Sequence, residues 1–162
     1  MVQISIRQDD AQSAEVVALL QEHLETARMQ SPPESAHALE VEALRALDVS
    51  FWTAWEGGHL LGCGALKELS PRHGEIKSMH TARAHRGRGV GARILDHMIV
   101  EARTRGYERL SLETGSMEYF APARALYARS GFRYCQPFAD YRLDPNSVFM
   151  TLDLTALDDV TA

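Results

Sequence analysis

The chain has 162 residues, enough for one domain with a buried core, and its 45% hydrophobic and 24% charged residues are typical of a globular protein. Its net charge of −5 argues against general binding to nucleic acid, and no apolar run approaches the ~18 residues that cross a bilayer. The N-terminus lacks a signal-peptide pattern, and two cysteines, Cys63 and Cys135, suggest neither a disulfide framework nor a metal cluster. We therefore expect a cytoplasmic protein with reduced thiols, no metal, no membrane and no nucleic acid as partner.

The first third of the chain predicts one strand and two helices. "VQISIR" alternates apolar and polar residues, which is typical of a strand. "DDAQSAEVVALLQEHLETARMQ" predicts a helix with Asp9 or Asp10 as its N-cap. The apolar face of this helix is expected to comprise Val16, Leu19, Leu20, His23 and Leu24. After the break "SPPES", "AHALEVEALRAL" predicts a second, shorter helix.

The remaining segments predict a sheet interrupted by two helices. "VSFWTAWE" and "HLLGCGALKEL" form a hairpin about Gly57-Gly58, and "EIKSMHT" is a further strand. A helix over Val90–Arg105 ends at Gly106, and "ERLSLET" is the next strand. A short helix begins near Pro122 and ends at Gly131, before the closing strands "FRYCQPF" and "SVFMTLDL". The order β-α-α-β-β-β-α-β-α-β-β indicates one mixed α/β domain.

The segment "HRGRGVGARIL" (85–95) lies between a strand and a helix, which is the usual arrangement of a phosphate site. The first N–H groups of a helix lack partners, and glycines let the backbone approach an anion. Arg83, Arg86, Arg88 and Arg93 supply positive charge with no carboxylate between them, although a solvated basic loop would look the same.

Two nucleotide folds fit this segment poorly. A P-loop needs Lys-Ser or Lys-Thr after its last glycine, whereas Ala92-Arg93 stand here. Gly87, Gly89 and Ala92 satisfy the dinucleotide pattern, with Glu113 about 20 residues on. However, the preceding strand ends several residues too early, and too little chain remains for a doubly wound sheet.

A third interpretation rests on a family resemblance. "RGRGVG" matches R/Q-x-x-G-x-G/A as Arg86, Gly89 and Gly91, and "ARALYARSGF" (123–132) resembles A-x-x-L-Y-x-x-x-G-F. Both are signatures of the GNAT superfamily of N-acetyltransferases, and their order and spacing are those of the family. The resemblance covers essentially the whole chain. It implies a single α/β (α+β) domain over residues 1–162, with a central, mixed, mostly antiparallel sheet of about seven strands flanked by about four helices.

The resemblance also implies acetyl-CoA, or another acyl-CoA, as the acyl donor. The N–H groups from Arg86 to Gly91 would hold the pyrophosphate, and Arg83, Arg86 and Arg88 could add phosphate contacts. The N–H of Met79 would face the thioester oxygen, with the main chain near Thr81 on the pantetheine arm. The expected cofactor-binding residues are Met79, His80, Thr81, Arg86, Gly87, Arg88, Gly89, Val90, Gly91, Phe120 and Ala123. Phe120 departs from the family, because many relatives carry Asn seven residues before the tyrosine.

Two catalytic residues are implied by position. Tyr127 matches the general acid of the family, which protonates the departing thiolate. Glu75 lies eleven residues before Arg86, where one branch of the family has its general base. His80 or a water molecule is an alternative base. His80 is adjacent to Met79, so its side chain is expected on the opposite face of the strand.

The acceptor is weakly defined. The acceptor side offers His23, Glu25, Arg28, "SPPES", Tyr141 and Arg142. Without the four clustered arginines, the chain has 22 acidic and 13 basic residues. This excess of acidic residues mildly favours a cationic small-molecule amine or amino acid as the acceptor. A peptide or protein amine, and a catalytically silent acyl-CoA sensor, are the alternatives, and a homodimer is compatible with the sequence.

Overall fold

The computed structural model describes residues 3–35 and 40–155. Seven strands form one mixed sheet in the order β1-β2-β3-β4-β5-β7-β6, and only the β4–β5 pair is parallel. The strands are β1 (Ser5–Gln8), β2 (Val49–Glu56), β3 (His59–Ser70), β4 (His73–Thr81), β5 (Arg109–Gly115), β6 (Arg133–Cys135) and β7 (Ser147–Asp153). The mixed seven-stranded sheet expected from the resemblance is confirmed.

Within residues 3–35 and 40–155, three α-helices cover the two faces of the sheet, where about four helices were expected. They are α1 (Ala14–Gln30), α2 (Val90–Thr104) and α3 (Ala121–Arg129). Within the second predicted helix, residues 36–39 lie outside the described residues, and Val41–Arg45 form a 3₁₀-helix. Leu44 is the buried side chain of that turn. The turn therefore lacks the apolar stripe that stabilises a longer helix.

Helix α1 begins three or four residues later than the sequence indicated. Its N-cap is Ser13, whose Oγ accepts from Val16 N at 3.3 Å, so the prediction of Asp9 or Asp10 is wrong. Each aspartate instead accepts from the backbone two residues on: Asp9 from Ala11 N at 2.8 Å and Asp10 from Gln12 N at 3.1 Å. These local turns occupy the carboxylates before the helix starts.

The sheet is buried on both faces. On one face, α2 packs Val90, Ile94, Leu95, Met98, Ile99 and Ala102 against the sheet. On the other, α1 packs Val16, Leu19 and Leu20 against Phe51, Cys63 and Ala65. The result is a three-layer domain with the sheet in the middle.

The parallel strands β4 and β5 pair only over a short distance and then diverge. Their register runs from His73 opposite Arg109 to Glu75 opposite Ser111. On the other side of β4, two residues, Ser78 and Met79, oppose the single residue Gly64 of β3. This bulge includes Ser78 at φ 55° and bends β4 locally, beyond its last pair with β5. The opening between the two strands is where the candidate site lies.

Candidate active site

Two adjoining cavities, which we together call the cleft, follow the opening between β4 and β5. Its outer part is a cavity of about 480 Å³ between α1, α2 and α3, lined by Arg86, Gly87, residues 89–91 and Tyr127. Its inner part extends to Glu75, past Met79 and Phe120. Met79, Tyr127 and His23 line both parts, so the cavity at the glycine-rich segment and the cavity at Glu75 adjoin each other.

The glycine-rich segment forms a backbone cradle at the start of α2. Gly87 and Gly89 have φ of 77° and 80°, and a Cβ at either would meet no atom within 4 Å, so the left-handed backbone is what requires glycine. Gly91 is different: a Cβ there would lie 3.2 Å from Leu126 Cδ2 of α3. The small residue lets α3 approach the first turn of α2, whose N–H groups have no partners within the helix. This cradle fits a phosphate group.

Three arginines near the cradle have different positions. Arg86 lines the cleft, with its guanidinium 6.0 Å from the Tyr119 ring centre. Arg88 is not part of the lining, because its Nη2 bonds both carboxylate oxygens of Glu56 at 2.7 Å. Arg129 of α3 does line the cleft and was missed from the sequence, although it stands two residues after Tyr127 in the second motif.

Strand β4 directs neighbouring side chains to opposite faces. Met79 packs over Gly64 toward α2, which fits a packing role for its side chain. His80 points toward α1, as the alternation predicts, and its Nε2 lies 3.2 Å from Glu22 Oε2, at ion-pair distance but without hydrogen-bond geometry. Thr81 lines the cleft next to the cradle.

Two histidines meet on the α1 side of the cleft. The rings of His23 and His80 lie 5.1 Å apart. Burial, with His80 and Lys77 nearby, lowers the pKa of His23 to about 3. Burial also lowers the pKa of His80, against the opposing effect of the Glu22 carboxylate. Both imidazoles are therefore held neutral near pH 7.

Tyr127 lies in the middle of the cleft on α3. It is 6% exposed, and its ring packs edge-on against Phe132 at 5.9 Å. Burial raises the pKa of the Tyr127 phenol, and the Glu113 carboxylate raises it further. The phenol therefore keeps its proton at neutral pH and is available as a proton donor.

Glu75 lies at the inner end of the cleft, at the last β4–β5 pair, and is 3% exposed. Its Oε2 accepts from Tyr141 Oη at 2.5 Å and from Lys77 Nζ at 3.1 Å. Burial and the charge of Glu75 raise the pKa of Tyr141, so this tyrosine also stays a donor. Sequence reasoning missed Lys77, and it named Tyr141 without its contact to Glu75.

Phe120 forms part of the cleft wall at the position where many relatives have Asn. A Cβ at Gly115 would collide with its ring, so the glycine that ends β5 makes room for it. Arg124 fixes the turn by donating to Gly115 O at 2.7 Å and Met117 O at 2.9 Å. Ala123 lines the cleft beside Phe120.

The acceptor-side candidates do not all reach the cleft. Ser31 and Ser35 of "SPPES" line its inner part, whereas Glu25 and Arg28 line a separate depression, where Arg28 pairs with Glu40 at 2.9 Å. Tyr141 and Arg142 line a further cavity on the far side of Glu75.

Other classes of site find little support in the described part of the chain. No group of three or more His, Cys, Asp or Glu side chains there is arranged for a metal ion. Over the same residues, no helix combines the length and apolar character needed to cross a bilayer.

Comparisons with known proteins agree with this geometry. The model of the Acetyltransferase (GNAT) family matches residues 16–132. The chain is 60% identical over 149 residues to the uncharacterized N-acetyltransferase YsnE of Bacillus subtilis (strain 168), covering 92% of this chain and 99% of that protein. It is 49% identical over 150 residues to the uncharacterized N-acetyltransferase YedL of Escherichia coli (strain K12), covering 93% and 94%.

A solved structure shows the same fold at lower identity. The GNAT family acetyltransferase from Elizabethkingia anophelis, determined with acetyl-CoA bound, has a TM-score of 0.68 and 19% identity, covering 93% of this chain and 97% of that one. The chain belongs to the Acetyltransferase (GNAT) family. Its activity is that of an N-acetyltransferase, the activity for which its 60% and 49% identical relatives are named.

Proposed function

We propose that the protein transfers an acetyl group from acetyl-CoA to the primary amine of a small molecule or amino acid, by direct attack on the thioester. The observation that carries this proposal is the cleft, whose two adjoining cavities are lined by the glycine cradle, Tyr127 and Glu75. Bound acetyl-CoA supplies an activated acyl group and a thiolate leaving group.

The donor end is built from backbone. The N–H groups of Arg86–Gly91 hold the pyrophosphate at the start of α2, and Arg86 adds a charge at the edge of the cleft. The bulge at Ser78-Met79 interrupts the β3–β4 ladder, which favours the Met79 N–H as the donor that stabilises the developing oxyanion.

The acceptor end supplies the base. An ammonium has no lone pair for attack, so the amine must first lose a proton, and Glu75 or a water held by it accepts that proton. The amine nitrogen then bonds the carbonyl carbon, and the carbon–sulfur bond breaks. Tyr127 gives its proton to the leaving thiolate, and the surplus proton of the new amide nitrogen restores the Tyr127 phenol. The products are an N-acetyl amine and the free thiol of CoA, and Glu75 releases the first proton to solvent.

The first prediction tests Tyr127. Thiol release from acetyl-CoA, followed over a panel of amines and amino acids, identifies an acceptor. With that acceptor, Tyr127→Phe is expected to lower kcat by ~10²- to 10⁴-fold, because the phenol alone is lost. The KM for acetyl-CoA should change little, since the cradle is intact.

Tyr134→Phe is the matched control, because Tyr134 is 63% exposed on β6, outside the cleft lining. Its kcat should equal that of the parent. Equal rates for the parent and Tyr127→Phe would show that Tyr127 is not the acid. Binding of CoA without thiol release for any amine, peptide amines included, would instead support a sensor.

A further inference from the structure

Glu75, Lys77 and Tyr141 form a closed cluster of hydrogen bonds. Lys77 Nζ and Tyr141 Oη both donate to Glu75 Oε2, at 3.1 and 2.5 Å. Lys77 Nζ also donates to Tyr141 Oη at 2.8 Å. The side chains of Lys77 and Glu75 are only 9% and 4% exposed, so these contacts are shielded from water.

The arrangement of the donors leaves one carboxylate oxygen for other chemistry. Neither Lys77 nor Tyr141 uses Oε1 of Glu75, because both contacts are to Oε2. A buried carboxylate is costly unless it is paired, and here the pairing is confined to one oxygen. The carboxylate is thereby held through Oε2, and neither of these two donors engages its second oxygen.

The cluster lies between two spaces. Glu75 and Lys77 line the inner part of the cleft and also a separate cavity of about 450 Å³. We call this separate cavity the outer cavity; it is not the outer part of the cleft. Residues 139–144, Glu34 and Lys67 complete the wall of the outer cavity. Tyr141 faces this cavity and does not line the cleft, so it holds Glu75 from the side opposite the reacting groups.

We propose that Lys77 and Tyr141 are positioning residues that hold the Glu75 carboxylate by its Oε2 and direct its Oε1 toward the acceptor amine. This inference rests on the proposed function, in which Glu75 takes a proton from the ammonium before the new carbon–nitrogen bond forms. Neither residue touches the reacting atoms. They act through the carboxylate, the lysine by its charge and the tyrosine by its hydroxyl.

The charges around Glu75 make Lys77 the decisive cation. The surrounding basic groups are His73 on β4, His23 on α1, Lys67 on β3 and Arg142 in the outer-cavity wall. The surrounding acids are Glu113 on β5, Glu34 after α1, and Asp140 and Asp144 in the outer-cavity wall. Burial lowers the pKa of both histidines, and of the lysines and Arg142 only Lys77 contacts the Glu75 carboxylate within the described residues.

The second prediction removes that charge. Lys77→Met keeps the length of the side chain but leaves a buried carboxylate next to acids. In a plot of kcat/KM for the acceptor against pH, the acid limb is the region at low pH where activity falls. This limb is expected to move up by ~1 to 3 pH units, because an opposite charge at hydrogen-bond distance favours ionisation by about that much. Activity should recover above the new limb, and Lys77→Arg should restore most of the parental profile.

Two further variants isolate the contact. Tyr141→Phe removes one donor to the carboxylate and should move the acid limb in the same direction by less, and it carries the test if Lys77→Met does not fold. Lys67→Met is the matched control: Lys67 is opposite Glu75 in the β3–β4 register and lines the outer cavity, but it makes no ion pair with Glu75. Its acid limb should stay near that of the parent.

A readout independent of turnover separates this inference from the proposed function. NMR of protein labelled with ¹³C-glutamate, assigned with Glu75→Gln, follows the titration of the Glu75 carboxyl, which Lys77→Met should move to higher pH. That shift without any turnover would sink the proposed function and keep the role of Lys77 at the Glu75 carboxylate. An unmoved titration, or an equal loss of activity at every pH in Lys77→Met, would overturn the inference.

Discussion

Cys63 lies in the middle of β3 with no exposed surface, and its Sγ donates to Ser78 O at 3.3 Å. Burial raises the pKa of its thiol to about 12. A thiol nucleophile must ionise and be reached by its substrate, and Cys63 satisfies neither requirement. Cys135, on the edge strand β6, is half-buried, and burial also raises the pKa of its thiol. The burial and the raised pKa of these two thiols therefore favour direct transfer over a covalent acyl-cysteine route.

The third prediction concerns these thiols. In the folded protein at pH 8, iodoacetamide should modify Cys135 at least ~10-fold faster than Cys63, because only the thiolate reacts and Cys63 is inaccessible. Mass spectrometry of the two tryptic peptides over time measures both rates. In urea the rates should become similar. Fast native labelling of Cys63 would contradict its burial.

At the scale of elements, the cleft wall depends on how β5 ends. Gly115 closes the strand, and the Phe120 ring of the Glu118–Phe120 turn occupies the space that a Cβ would need. Gly115 does not have a positive φ, so its backbone accepts other residues and only the ring excludes them. The turn, the ring and the strand end form one packed unit that shapes the inner cleft.

The fourth prediction is a double-mutant cycle on that unit. Gly115→Ala should lower the free energy of unfolding by ~1 to 3 kcal/mol, because the added methyl group overpacks the ring. It should also raise the KM for acetyl-CoA by moving Phe120. In a Phe120→Ala background the same substitution should change stability by less than ~0.5 kcal/mol, a coupling that urea unfolding measures. Additive effects would show that the ring is not what excludes a side chain.

Apolar spacing and glycine were better predictors of the helices than the choice among possible N-cap residues. The face of α1 and the start and end of α2 follow from apolar spacing and from Gly106, whose N–H donates to Arg103 O at 3.0 Å. The N-cap of α1 was mispredicted because Asp9, Asp10 and Ser13 are all good caps, and only the folded chain shows that the aspartates are used in turns. Local competition of this kind is not resolved by sequence pattern.

At the scale of the whole molecule, the two ends of the site differ in how they are encoded. The cradle is contiguous in sequence, so its strand–glycine–helix pattern could be predicted. The acceptor end joins Glu75 to Tyr141, 66 residues away, through the divergence of β4 and β5 and the path of the 139–144 segment. No local pattern reports such a contact.

The cleft also holds neutral histidines, and this affects the stability of the entire domain.

The fifth prediction follows from His23. Its pKa is about 3 in the folded chain but ~6.5 when unfolded, so between these values the unfolded state binds the extra proton. Stability should therefore fall as pH drops below ~6.5, by about 1 to 2 kcal/mol from this group between pH 7 and pH 5. His80, whose pKa is also lowered, adds to the same trend.

Urea unfolding at pH 7 and pH 5 measures this loss for the parent and for His23→Gln. The variant removes the group that must stay neutral, so its loss between the two pH values should be smaller by about 1 to 2 kcal/mol, whatever its stability at pH 7. His59→Gln, which changes an exposed histidine at the β2–β3 turn, should show the parental loss. Equal losses in the parent and in His23→Gln would mean that His23 accepts a proton in the folded cleft. The assignment of a neutral imidazole to His23 in the folded protein would then be wrong.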